Sequence, residues 1–377
     1  MTQLHRLAMW ASLALLVAAL ALFAVDRPQI AGPVLVVFFA LAAFGARGNE
    51  KLRGISFSLL IFAAVSFAMC WPAPLVSWGE FQLSALIVPL LQIIMFGMGT
   101  AMSARDFVGV VKSPKAVFIG LGCQYTIMPF VGAGLALAFD LEPEIAAGVV
   151  LIGAAPSGLA SNVMAYIAKA NLALSVTLTT VATLLSPLVT PFYMQWLAGE
   201  YIPIDTWGMM WSIIKITILP IAAGLVFNHF LHGRTGWLDR LMPKVSMGGI
   251  VVILMIMTAG ARDNLLVIGL LLILISLLHN VAGYVLGYWS CRLLGLDEKS
   301  CRTISFEVGL QNAGLATGLA QEMGKMATVG LAPTVFGSLM NITGATLATW
   351  WRDKPVPGDE TATPEPQAAS SSAERTT

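Results

Sequence analysis

Glu307 is the one acidic side chain set deep inside an apolar segment of this 377-residue chain. It sits in the run Ser305-Phe306-Glu307-Val308-Gly309-Leu310-Gln311-Asn312-Ala313-Gly314. A carboxylate at the centre of a bilayer costs ~3 kcal/mol on insertion scales, so such a group marks an ion or substrate path and names the partner it needs. The other polar groups at similar depth are neutral oxygens. Ser175 and Thr179 are spaced i and i+4 and share a helical face, and Gln124 is a buried amide within Gly122-Cys123-Gln124-Tyr125. The stretch Gly153-Ala154-Ala155-Pro156-Ser157-Gly158-Leu159-Ala160-Ser161-Asn162 mixes helix breakers with more hydroxyl and amide oxygen. Hard cations select carboxylate, amide, hydroxyl and carbonyl oxygen. One carboxylate among many neutral oxygens suits monovalent Na⁺ better than a divalent ion.

The elements holding these groups must be membrane helices. With 57% hydrophobic and only 11% charged residues, and a mean hydropathy of +0.81, the composition excludes a soluble globule. Twelve apolar stretches, most near the ~20 residues a bilayer requires, cover 7–25, 30–46, 52–71, 83–102, 114–139, 145–168, 172–197, 207–230, 245–261, 265–294, 301–323 and 329–351. They are too long and too evenly apolar for alternating barrel strands, so the expectation is an all-α polytopic membrane protein. With the N-terminus inside, the inner loops collect Arg6, Arg47, Lys51, Arg53, Arg105, Lys112, Lys115, Lys169, Arg234, Arg240, Lys244, Arg292, Lys299, Arg302, Arg352 and Lys354. The outer loops hold Arg27, Arg262 and Lys325. That bias predicts both termini in the cytoplasm and a multi-pass protein of the plasma (inner) membrane.

Other features exclude more than they assign. The first apolar run, flanked by His5 and Arg6 and with Ala19 and Ala21 as small residues, has something of a signal peptide, but it is longer than an ordinary h-region. Cys70, Cys123, Cys291 and Cys301 lack disulfide or zinc spacing, and a net charge of +1 gives no case for nucleic acid. Residues 353–377, rich in Pro, Ser, Thr, Ala and Glu, read as a disordered cytoplasmic tail.

The two interrupted stretches, the sixth and the eleventh, lie five spans apart and therefore cross the membrane in opposite directions. This predicts an inverted repeat of five plus five helices, residues 51–199 and 205–352, in which the two breaks meet at mid-depth. Residues 1–50 then form an extra two-helix extension.

The chain resembles the bile acid:sodium symporter family, through Ser161-Asn162, the stretch Asn171-Leu172-Ala173-Leu174-Ser175-Val176-Thr177-Leu178-Thr179, and Glu307 to Ala316. The resemblance covers about Lys51 to Trp351. It implies ten helices in a panel and a core domain, two crossing discontinuous helices and two sodium sites. One site would be formed by Ser161, Asn162, Ser175, Thr179 and Glu307, the other by Gln124, Glu307, Gln311 and the carbonyls of Val308 and Leu310. It further implies an organic anion between the domains near Asn312 and Asn341. Leu159 stands where the family often has a hydroxyl, and Met340 where a His occurs, so the pocket is less polar than in other members.

The expected function is import of an organic anion, bile-acid-like or a small carboxylate such as pantoate or a 2-oxo acid, coupled to Na⁺. The expected ratio is two ions per substrate, and no catalysis is expected. Plainer readings exist for each group. Ser175 and Thr179 are of a type that back-bonds to its own helix, Gln124, Gln311, Asn312 and Asn341 of a type that joins helices, Lys215 of a type that snorkels outward, and His279-Asn280 of a type that bonds between helices. Rival functions are a carrier coupled to protons, a metalloid exporter using Cys123, an intramembrane serine hydrolase built on Ser157 and His279, and a structural or sensory protein. Oligomeric state is not legible.

Overall fold

The computed structural model describes residues 2–49, 52–102, 113–231 and 236–355. Lys51, Arg105, Lys112 and Arg234 of the expected inner loops, and the tail from residue 356 onward, lie outside the described residues.

The described chain is mainly helical: α1 (Gln3–Ala24), α2 (Pro28–Arg47), α3 (Ser56–Cys70), α4 (Ile87–Ala101), α5 (Pro114–Ala138), α6 (Pro143–Ala154), α7 (Ala160–Ile167), α8 (Leu172–Tyr193), α9 (Thr206–Ile213), α10 (Leu219–Leu231), α11 (Gly236–Gly260), α12 (Arg262–Leu293), α13 (Glu298–Gly309), α14 (Ala313–Glu322) and α15 (Leu331–Arg352). Seven helical stretches among the described residues are long and apolar enough to cross a membrane, and Ser56–Cys70, Pro143–Ala154 and Lys244–Gly260 are shorter apolar helices. The protein is a polytopic membrane protein, as its composition demands. The expected spans 145–168 and 301–323 each divide in two, as α6 with α7 and α13 with α14. Two features go beyond the expectation: a two-residue β-hairpin pairing Ser77 with Gln82 and Trp78 with Phe81, and π-turns at Met194–Ala198 and Ile214–Ile218. The hairpin follows from Gly79, whose φ of +61° closes a tight turn.

α1 and α2 form a hairpin turning at Asp26 (φ 55°), a left-handed position that a short polar side chain tolerates. Ala8, Ser12 and Ala19 face the partner helix, while Leu4, Leu7, Trp10 and Leu13 point outward. That division suits small residues at a helix contact and large ones against lipid. α2 in turn packs on α3, where the Ser56 hydroxyl donates to the Ala43 carbonyl at 2.7 Å.

Two groups of helices follow. α3, α4, α10 and α11 pack on one another. Between α4 and α10 a Cβ on Gly99 would stand 2.2 Å from the Ile221 carbonyl oxygen, so this crossing exists only because the residue is glycine. α5, α6, α8, α12, α13 and α15 form the second group, and it contains both helix breaks.

Candidate ion and substrate site

Each break has a local cause. Pro156 lacks an N–H and biases the residue before it toward extended backbone, and Ala155 ends α6 at φ −68°, ψ 153°. Leu310 ends α13 at φ −106°, ψ 95°. The polar backbone freed by the two breaks is satisfied mutually: Gly158 N–H donates to the Leu310 carbonyl at 2.9 Å, and Asn312 N–H donates to the Pro156 carbonyl at 2.7 Å. Ser157 and Gln311 thus face each other as an antiparallel bridge. A Cβ on Gly158 would lie 2.8 Å from the Gln311 carbonyl oxygen, so glycine permits the crossing. Buried backbone polar groups need such partners, above all in hydrocarbon.

Glu307, two residues before the end of α13, is 1% exposed. No cation lies on it among the described ion pairs, and its oxygens are held by hydroxyls. Oε1 accepts from Ser175 at 2.5 Å; Oε2 accepts from Ser157 at 2.6 Å and from Thr179 at 2.9 Å. Asn162 Oδ1 is within 2.8 Å of the Ser175 hydroxyl and 3.3 Å of that of Thr179. Ser161 donates to the Gly158 carbonyl at 2.8 Å and lies 3.2 Å from Thr179 Oγ1. Ser161, Asn162, Ser175, Thr179 and Glu307 therefore come together, drawn from α7, α8 and α13.

On the side toward α5, Gln124 Nε2 donates to Gln311 Oε1 at 2.9 Å and to the Ala155 carbonyl at 3.2 Å. Gln311 Nε2 donates to the Val308 carbonyl at 2.6 Å. The Gln124 Oε1 atom is buried and has no hydrogen-bond partner among the described residues. The Val308 carbonyl accepts from Gln311 and the Leu310 carbonyl from Gly158, and each retains a lone pair. An orphaned amide oxygen and carbonyls with free lone pairs are the donor types a hard cation takes. Among the described residues no three His, Cys, Asp or Glu converge on a metal position, so the set fits a monovalent ion and not a transition metal.

Leu159, Asn312, Met340 and Asn341 all line one cavity. Its walls include Leu91, Ile94 and Met95 of α4 and Ile253, Leu254 and Met257 of α11, opposite Gly158, Gln311 and Thr317. It is thus bounded by both helix groups and floored by the crossing. The residues that open α7 and α14, Ala160 and Ala313, line it as well, so two helix N-termini border the same space and favour negative charge there. Asn312 Oδ1 caps α14 by accepting from Leu315 N–H at 3.0 Å, while Asn341 donates back to the Gly337 carbonyl at 2.7 Å.

A layer behind the breaks ties them to neighbouring helices. Asn280 donates to the Gly309 carbonyl at 2.7 Å and accepts from Thr343 at 2.5 Å, and His279 Nε2 lies 2.9 Å from the Met128 carbonyl. His279-Asn280 thus joins helices, the plainer of its readings. Ser157 bonds to Glu307, not to His279, and Cys123 lies against Cys291. Lys215 is exposed in the π-turn, its carbonyl accepting from Gln92 at 3.2 Å. Near the opposite ends of α6 and α14, Lys325 pairs with Glu144, whose carboxyl this partner holds below the ordinary range. The residue that sequence reasoning missed at the site is Ser157; its place inside the Pro156–Gly158 break was the available signal.

The sequence model of the Sodium Bile acid symporter family matches residues 88–276, a stretch that includes Gln124, the first break, Ser175 and Thr179 but stops before Glu307. An uncharacterized sodium-dependent transporter, YocS, of Bacillus subtilis (strain 168) is 41% identical over 297 residues, 78% of this chain and 90% of that protein. A probable sodium/metabolite cotransporter of Arabidopsis thaliana, BASS1, chloroplastic, is 34% identical over 264 residues, 70% of this chain and 65% of its own length. The human ileal sodium/bile acid cotransporter is 34% identical over 249 residues, 63% of this chain and 70% of its own length.

Proposed function

This chain belongs to the sodium bile acid symporter family, a family of transporters and not of enzymes, and from that premise we propose that it imports an organic anion driven by two Na⁺ ions through alternating access. One ion binds among Ser161, Asn162, Ser175, Thr179 and Glu307; the other binds among Gln124, Glu307, Gln311 and the Val308 and Leu310 carbonyls, with Glu307 shared. The observation that carries the reading is the buried Glu307 carboxylate held by three hydroxyls at the crossing of two helix breaks, together with the orphaned oxygen of Gln124, whose amide bonds Gln311 in the second break. A carboxylate there is offset by one cation, and a second leaves the crossing positive beside two helix N-termini, which draws an anion into the cavity only after the ions have bound. The ion charge in excess of a monoanion harvests ~2.3 kcal/mol per 100 mV.

The substrate is a bile-acid-like or small branched carboxylate, pantoate and 2-oxo acids among the candidates. The reading is supported by the cavity's largely aliphatic wall, with Leu159 and Met340 in it, since an apolar pocket with few polar groups selects an amphipathic anion. The protein spans the plasma membrane twelve times with both termini in the cytoplasm. Its repeats are 51–199 and 205–352, with the group of α3, α4, α10 and α11 acting as panel and the second group as core. Residues 1–50 are an accessory hairpin and 353–377 a cytoplasmic tail.

The test is the melting temperature of purified protein against NaCl, with KCl holding ionic strength, for wild type and Glu307→Ala. A Na⁺-specific rise that the variant lacks is expected, and at an ion concentration 100-fold above Kd it amounts to ~2.7 kcal/mol of stabilisation. Equal curves in the two salts would overturn sodium coupling. Uptake into sodium-free vesicles diluted into NaCl or into KCl, across a panel of carboxylates, then names the substrate.

A further inference from the structure

Three hydroxyls hold the Glu307 carboxylate, and they are not equivalent. Ser175 and Thr179 also reach Asn162 Oδ1, at 2.8 and 3.3 Å, so both belong to the oxygen cage assigned above to an ion. Ser157 stands apart. It lies in the break and not on a helix, it is 1% exposed, and its hydroxyl donates to Glu307 Oε2 at 2.6 Å. Its backbone is fixed on both sides: Pro156 accepts from Asn312 N–H at 2.7 Å and Gly158 donates to Leu310 at 2.9 Å, with Ser157 bridged to Gln311 between them.

Resting on the sodium reading above, we propose that Ser157 is a positioning residue of the ion site: it pins Glu307 Oε2 to the crossing while Ser175 and Thr179 turn their oxygens toward an entering cation. The terminal torsion of a glutamate side chain is soft. A carboxylate that loses two of its three hydroxyl partners as they rotate would swing unless something outside the cage kept hold of it. Ser157 is that anchor, because its Cα is set by hydrogen bonds from both breaks and not by the cation. The carboxylate is thereby registered on the point where α6–α7 and α13–α14 meet. Gly158, next in the chain, lines the cavity, so the hydroxyl that holds the carboxylate and the substrate-facing backbone belong to adjacent residues.

The test titrates Na⁺ against the melting temperature of the full-length protein, in wild type, Ser157→Ala and Ser157→Gly, with KCl replacing NaCl. Removing the hydroxyl is expected to raise the half-saturating Na⁺ concentration about tenfold, in addition to the fall in melting temperature in KCl that the lost hydrogen bond causes. Ser157→Gly gives a second hydroxyl-free chain should the alanine variant be recovered poorly. A serine that served only to hold the fold would lower both salt curves equally and leave the half-saturating concentration where it was, and that result overturns the positioning role. If wild type itself shows no difference between Na⁺ and K⁺, the sodium reading fails first; if wild type titrates and both variants titrate identically to it, the positioning role alone fails.

Discussion

At the scale of single residues, the site is organised around charge. Glu307→Gln keeps the shape and removes the charge, so the variant should fold yet lose the Na⁺-specific rise in melting temperature; retention of that rise would show that the carboxylate is not the ligand. Gln124 carries an independent prediction, because its Oε1 is buried without a partner and an unpartnered acceptor costs ~1–3 kcal/mol unless an ion supplies what is missing. Gln124→Leu removes that oxygen but also the two hydrogen bonds Nε2 donates to Gln311 and to the Ala155 carbonyl, so it should lower the melting temperature in KCl. It should separately reduce the Hill coefficient of Na⁺-dependent stabilisation from above one to one. An unchanged coefficient would mean that the second ion does not use this oxygen. Glu307 was legible in the sequence, since an acid in an apolar run stands out locally. Ser157 was not, since its partner lies 150 residues away and nothing in the spacing of either segment encodes that meeting.

At the scale of elements, the two breaks stand or fall together, because each satisfies the other's backbone. Gly158→Ala would bring a methyl carbon to 2.8 Å from a backbone oxygen, an acceptor that cannot swing aside. Overpacking of this kind costs ~1–3 kcal/mol. The expected result is a lower melting temperature in either salt together with a weaker response to Na⁺, whereas Gly122→Ala, with open space at its Cβ, should change neither. The sequence located both breaks through Pro156, Gly158 and Gly309 because chain conformation at these residues is a local property. It did not indicate that the breaks pair as a β-bridge, nor the π-turns near Lys215, because those depend on which strand or helix lies alongside.

At the scale of the whole molecule, the α1–α2 hairpin packs chiefly on α3 and contributes no residue to the cavity walls or the ion cage. Deleting residues 2–49 should thus leave the half-saturating Na⁺ concentration within twofold of wild type while lowering yield or melting temperature. A large shift would reveal a coupling through α3 that the packing does not suggest. The proposed topology is checked separately, with single cysteines at Glu200 and Lys169 in a chain lacking the native four. In intact cells an impermeant maleimide should label position 200 and spare position 169.

Taken by itself, the sequence determined the class of protein, the position of most helices, the two interruptions and the carboxylate between them. Each of these is written in hydropathy over ~20 residues or in the backbone limits of Pro and Gly, and so survives without knowledge of neighbours. The tertiary structure decided which oxygens surround Glu307, that Gln124 is left with an unpartnered oxygen, that Leu159, Asn312, Met340 and Asn341 line one cavity, and that Ser157 holds the carboxylate. Those facts arise from contacts between segments more than a hundred residues apart, and such contacts are fixed by packing and mutual hydrogen-bond satisfaction, which no local pattern records.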